Sequence, residues 1–177
     1  MVATNLAIAA ASSLACQVLL VEANLARSFV GKSLGVQATT GWQQVVRDGI
    51  DPPDVIYQTS HPQLSVMFSG SDEDHSCPVY DPHHTTAVIG LLKQKFELVI
   101  FDLPACGELT GCFAIASCLD GVLLVLESDR IRSEQALRVK QQLEQTGATV
   151  VGTLLNKQRS YVPRWLARRI PQALHRR

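Results

Sequence analysis

Four apolar runs punctuate the chain: Val18-Leu19-Leu20-Val21, Leu98-Val99-Ile100-Phe101, Val122-Leu123-Leu124-Val125-Leu126 and Val150-Val151-Gly152-Thr153-Leu154-Leu155. None alternates with polar residues. Continuous aliphatic and β-branched runs mark strands covered on both faces, as in a parallel sheet. Helical patterns separate them. Thr85 or Thr86 can cap a helix whose apolar face is Ile89, Leu92 and Phe96. Ser133 can cap another, with Ala136, Val139 and Leu143 on one face and Gly147 as its stop. The Ala-rich start predicts a buried helix leading into the first strand. A weaker strand pair is predicted over residues 54–57 and 64–68, and a surface loop over the polar stretch 69–84. The pattern predicts an α/β fold, a mostly parallel sheet flanked by helices and joined by right-handed crossovers. No repeat or low-complexity linker divides it.

Each run ends on a polar side chain: Glu22, Asp102, Glu127 and Asn156. Ligands of open parallel sheets bind at the carboxyl ends of the strands, so the four are candidates for one site. A carboxylate there suits Mg²⁺ beside a nucleotide's phosphates. Asn offers a donor and an acceptor, which suits the edge of a base. At any one position the competing reading is simply a strand stopping where polarity begins. The short Leu103-Pro104 continuation favours a site role for Asp102.

Composition narrows the class. The chain has 177 residues, 46% hydrophobic and 18% charged. That is enough for one cored domain and excludes a disordered chain. No apolar run reaches the roughly 18 residues a membrane-spanning helix needs. Net charge is zero but unevenly spread. Residues 1–156 hold nine basic and sixteen acidic groups, and residues 157–177 hold seven basic and none acidic. The division read from this is an α/β domain over 1–156 and a basic tail over 157–177.

These residues resemble a known family. Val18-Leu19-Leu20-Val21-Glu22-Ala23-Asn24-Leu25-Ala26-Arg27-Ser28 resembles the second acidic motif of bacterial tyrosine kinases of the capsular exopolysaccharide type, in which the strand runs into Asp-x-Asp-x-Arg. Phe96-Glu97-Leu98-Val99-Ile100-Phe101-Asp102-Leu103-Pro104 resembles their Walker B strand. Gly41-Trp42-Gln43-Gln44-Val45-Val46 is similar to the helix between these motifs, and residues 64–70 to the strand and Gly after it. Residues 120–126 and 152–156 match the later strands. The resemblance covers nearly the whole chain and extends to the ParA/MinD-type ATPases of the same P-loop superfamily.

The resemblance implies a P-loop NTPase-like fold that binds ATP and Mg²⁺. Asp102 and Glu22 would be catalytic and manage the metal. Asn156 would touch adenine, and Asn24 and Arg27 would complete the cofactor site. It further implies a cytoplasmic protein-tyrosine kinase of exopolysaccharide and capsule biosynthesis. Such a kinase works at the inner face of the membrane with a membrane-embedded chain-length regulator, and as a homo-oligomer. Three departures matter. No G-x-x-x-x-G-K-[ST] motif, the Walker A loop, occurs in these residues. Asn24 replaces the second acid. Only Tyr161 stands where the family carries a C-terminal tyrosine cluster. Met1-Val2-Ala3-Thr4-Asn5-Leu6-Ala7 resembles the helix that follows the Walker A loop. The expectation is therefore a chain truncated before Val2, lacking the P-loop strand beside Asp102's strand, and inactive alone. The rival readings are a non-catalytic pseudo-kinase or interaction subunit, and a ParA/MinD-like positioning ATPase.

The remaining constellations carry less. Asp72, Asp74, His75, Cys77, Asp81, His83 and His84 are metal-ligand types, but their spacing matches no zinc pattern, which favours a solvated loop. The five cysteines read as free thiols, with Cys106, Cys112 and Cys118 as small buried ones. No Lys or Arg precedes Arg27, which argues against a signal peptide. In the tail, Leu166, Ile170 and Leu174 share a stripe beside Arg164, Arg168 and Trp165. That pattern suits an anionic membrane surface or a closing helix packed on the acidic body, and Pro171 favours the latter. Few aromatic residues argue against nucleic acid.

Overall fold

A computed structural model describes residues 2–24, 30–31, 36, 38–71, 81–106 and 111–158. The chain opens with helix α1 (Val2–Leu14), rich in alanine, the strongest helix former. Ala7, Ala10 and Ala11 form its buried stripe at helical spacing, while Leu6, Ile8 and Leu14 are exposed. The helix expected to be buried is thus buried along one face only. Strand β1 (Val18–Glu22) follows and is wholly buried. Helix α2 (Trp42–Asp48) leads through a 3₁₀ turn (Pro52–Val55) into β2 (Ile56–Gln58) and β3 (Leu64–Met67). Then come α3 (Pro82–Lys95), β4 (Leu98–Asp102), α4 (Gly111–Ala116), β5 (Val122–Glu127), α5 (Ser133–Gln145) and β6 (Val150–Asn156).

The strands form two groups. One has the order β2-β3-β1-β4, and the other pairs β5 with β6. β1 runs parallel to both β3 and β4, and β5 runs parallel to β6. Among the described strands only the β2–β3 pair is antiparallel. Successive side chains of a strand point to opposite faces. Val18 and Leu20 accordingly pack with Ala7, Ala10 and Ala11, while Leu19 and Val21 pack with Trp42, Val45, Met67 and Leu92. Both faces of β1 are covered by apolar layers, which is why its sequence does not alternate. A smaller core joins Leu124 of β5 to Ala116, Leu143 and Ala148.

Several local expectations need correction. Helix α3 starts earlier than the threonines suggested, because Pro82 occupies its first turn and the Asp81 carboxylate accepts from His83 N–H at 3.1 Å. His83 and His84 therefore belong to this helix and not to a loop, and Thr85 is buried inside it. Residues 52–55 form a 3₁₀ turn initiated by two prolines, so the weaker strand starts only at Ile56. Arg132 occupies the N-cap position of α5, without a side-chain cap bond, and Ser133 is its first residue. Gly147 adopts the left-handed backbone (φ 87°) just after α5, as its predicted stop requires. Strands β5 and β6 are not covered on both faces: Leu123, Val125, Val151 and Leu155 are exposed.

Two glycines hold the C-terminal end of β3 against α2. A Cβ on Gly41 would lie 2.1 Å from the Phe68 carbonyl oxygen, and one on Gly70 (φ 83°) 2.0 Å from Gln44 Oε1. The close approach lets Trp42 N–H donate to Phe68 O at 2.8 Å and Gly41 N–H donate to Gln44 Oε1 at 2.9 Å. Trp42, fully buried, then meets Phe101 of β4 edge to face at 5.1 Å.

Candidate functional site

All four polar residues singled out in the sequence are the last residues of their strands. Register pairs them two by two: Glu22 lies beside Asp102, and Glu127 beside Asn156. Between β4 and β5 lies a cavity of about 1270 Å³. Asp102, Asn24, Asn156 and Lys157 line it, together with Val2 and Leu6 of α1. Among the described residues, β4 pairs only with β1 and β5 only with β6. The cavity is thus walled by two strand edges that no described strand pairs.

Asp102 is partly buried. Burial raises its carboxyl above the ordinary 3.8, and the negative charge of neighbouring Glu22 adds to the rise. Its backbone carbonyl accepts from Ala23 N–H at 3.1 Å, which fixes the turn leading to Asn24. Glu22 is fully buried and does not line the cavity. Its Oε1 accepts from Val30 N–H at 2.7 Å, so it anchors the returning chain beneath the site. Asn156 Oδ1 accepts from Lys157 N–H at 2.9 Å. Arg27 lies outside the described residues.

The sequence reading missed Lys157, assigned to the tail. Its Nζ bonds Glu127 Oε1 at 2.9 Å, and Arg130 reaches the same carboxylate at 3.2 Å. Those two cations hold Glu127 below the ordinary carboxyl range. Glu127 is thereby committed to an ion pair at the cavity mouth. The signal was the free strand-end acid, but its partner became visible only once β5 and β6 were paired.

Of the cluster at 72–84, only Asp81, His83 and His84 are described. Asp81 is spent on its cap, and His84 Nε2 lies 3.4 Å from Val45 O. No group of three metal-ligating side chains is found among the described residues. Tyr161, Cys77 and the tail stripe fall outside them. No described helix is long and apolar enough to cross a membrane.

The fold defines the class: an α/β domain with the architecture of the MinD-like P-loop NTPases. Over 95% of this chain and 70% of that one, it matches the septum site-determining protein MinD from Pyrococcus horikoshii, solved with Mg-ADP (TM-score 0.74, 23% identity). The kinase domain of the Escherichia coli tyrosine kinase Etk matches over 92% of this chain and 64% of that one (TM-score 0.75, 20% identity). In sequence, the chain has homologues among bacterial tyrosine-protein kinases. The kinase CpsD of Streptococcus agalactiae is 28% identical over 155 residues, 87% of this chain and 67% of that protein. The chain spans about two thirds of the length of such curated relatives. No family model matches it.

Proposed function

We propose that the chain is the nucleotide-handling domain of a bacterial tyrosine kinase of capsule or exopolysaccharide synthesis. The observation that carries this reading is the juxtaposition of Glu22 and Asp102 at adjacent strand ends, beside a cavity that Asn156 borders from the other sheet. Asp102 fits a Mg²⁺ ion: it is an acid whose charge is poorly solvated and already opposed by a neighbour, so a cation would relieve it. Glu22 would act from behind, adding negative charge while its Val30 contact orients the loop. Asn156 would meet the adenine edge, and Asn24 and Arg27 would border the phosphates. Bound Mg²⁺ would neutralise developing phosphate charge, the main contribution in phosphoryl transfer.

The Walker A motif is absent from these residues, so the phosphate cradle and its lysine must come from elsewhere for transfer to occur. The edges of β4 and β5 that no described strand pairs favour a second reading. In it the chain is an interaction subunit, a pseudo-kinase completed by a homologue or by a membrane-embedded chain-length regulator at the cytoplasmic face. The MinD likeness supports a positioning ATPase to the same degree as fold alone can. Calorimetric titration with Mg²⁺-ATP separates these readings. Micromolar binding that Asp102→Ala abolishes supports the nucleotide domain, whereas silence toward Mg²⁺-ATP sinks it and leaves the interaction subunit. A phosphotyrosine assay on the nucleotide-competent assembly then divides kinase from positioning ATPase.

A further inference from the structure

In sequence alone Cys106 and Cys112 read as small buried thiols. The structure places their sulfurs 3.8 Å apart, beside the cavity that Asp102 borders. Cys106 is half-buried, just beyond the Leu103-Pro104 turn that leaves β4. Cys112 lies at the start of α4 and is only 2% exposed. Both are free thiols. A disulfide needs the sulfurs to close to about 2.05 Å, a small approach for two side chains already in contact.

We propose that Cys106 and Cys112 form a reversible dithiol–disulfide site, whose substrate is a small disulfide of the glutathione type. Cys106 attacks as the thiolate on one sulfur of the small disulfide. A protein–small-molecule disulfide forms, and the first small thiolate leaves. Cys112 then gives up its proton to solvent and attacks Cys106 Sγ. The internal disulfide forms, and the second small thiolate leaves. Two protein thiols are oxidised, one small disulfide is reduced, and both leaving thiolates end as thiols by taking up the two protons released.

The division of labour follows from the environments. The hydrogen bond from Cys112 brings Cys106 down from 9.0 to about 7. The same bond, with burial, raises Cys112, so it stays a thiol until its partner is engaged. Cys106 is the reachable attacker, and Cys112 is shielded from external reagents. Closing the bridge would fix residue 106 to the first turn of α4 and so stiffen the cavity wall next to Asp102.

The test is incubation of the whole chain with oxidised glutathione, an acid quench, alkylation and peptide mapping. The expected product joins Cys106 to Cys112, and dithiothreitol reverses it. Cys112→Ser should stop at a stable glutathione adduct on Cys106, while Cys106→Ser should leave Cys112 unmodified. Alkylation of Cys106 should rise with a midpoint near pH 7. Wild-type protein that accumulates the Cys106 adduct without closing the ring would overturn the proposal. So would glutathione reaching Cys112, Cys16 or Cys118 as readily as Cys106. Mapping of the wild type decides the matter even where a serine variant folds poorly.

Discussion

Glu22 and Asp102 are register partners at the carboxyl ends of β1 and β4, two acids side by side, Glu22 fully buried and Asp102 partly so. They are held there by different means. Glu22 is satisfied by the backbone N–H of Val30, whereas Asp102 borders an open cavity. Burial, with the neighbouring Glu22, opposes ionisation of Asp102, and on that rests the Mg²⁺ role proposed for it.

Asp102 should accordingly weaken the fold at neutral pH. Its folded value is raised, so its stabilising contribution is fully present below the ordinary 3.8 and is lost as pH rises through the raised value. Asp102→Asn removes the ionisation and should be more stable than wild type near pH 7, with the difference vanishing in acid. Urea midpoints measured from pH 3 to 7 would show it. Equal midpoints throughout would mean that Asp102 is adequately solvated.

Glu22 should behave in the opposite way. Glu22→Ala leaves Val30 N–H without its acceptor in a buried place, which costs roughly 1–3 kcal/mol beyond the lost packing. Glu22→Gln keeps an oxygen for that donor and should lose less. If the two variants unfold at the same denaturant concentration, the Val30 contact contributes little.

Much of this arrangement was legible because strand ends are marked by chemistry. Glu22, Asp102, Glu127 and Asn156 terminate four apolar runs, and all four runs are strands that stop there. Periodicity also located the buried faces of α3 and α5, through Ile89, Leu92 and Leu143. What escaped depended on partners distant in sequence. Nothing local says that Glu22 faces Val30 and not the cavity, or that Lys157 turns back to Glu127 across 30 residues. The start of α3 was misplaced because two threonines compete with Asp81-Pro82 as caps, and the Asp–Pro pair both accepts a hydrogen bond and fixes the first helical φ. The exposure of β5 and β6 is a matter of which strands lie beside them, which periodicity does not report.

Gly41 should tolerate no side chain. Gly41→Ala drives a methyl group into the Phe68 carbonyl, and the backbone there has no flexible end to yield. A loss of at least about 2 kcal/mol is expected, at the upper end of overpacking costs. Gly49→Ala is the control, because its φ of 72° is strained for alanine but nothing lies within 4 Å, so about 1 kcal/mol should suffice. Thermal melts of the two variants should separate clearly, with Gly41→Ala the lower.

Hydrogen exchange should reveal how the cavity edge is used. β1 is bonded on both sides, to β3 and β4, so all its amides should exchange slowly. β4 is bonded to β1 alone among the described residues, and in an edge strand alternate N–H groups point away from the neighbour. Its amides should therefore alternate between slow and fast along residues 98–102, and β5 should show the same alternation on its cavity side. Uniform protection of β4 would mean that a further strand fills the gap in solution, from a second copy or a partner. A dilution series would separate these, since protection lent by a second copy must fall as the protein is diluted.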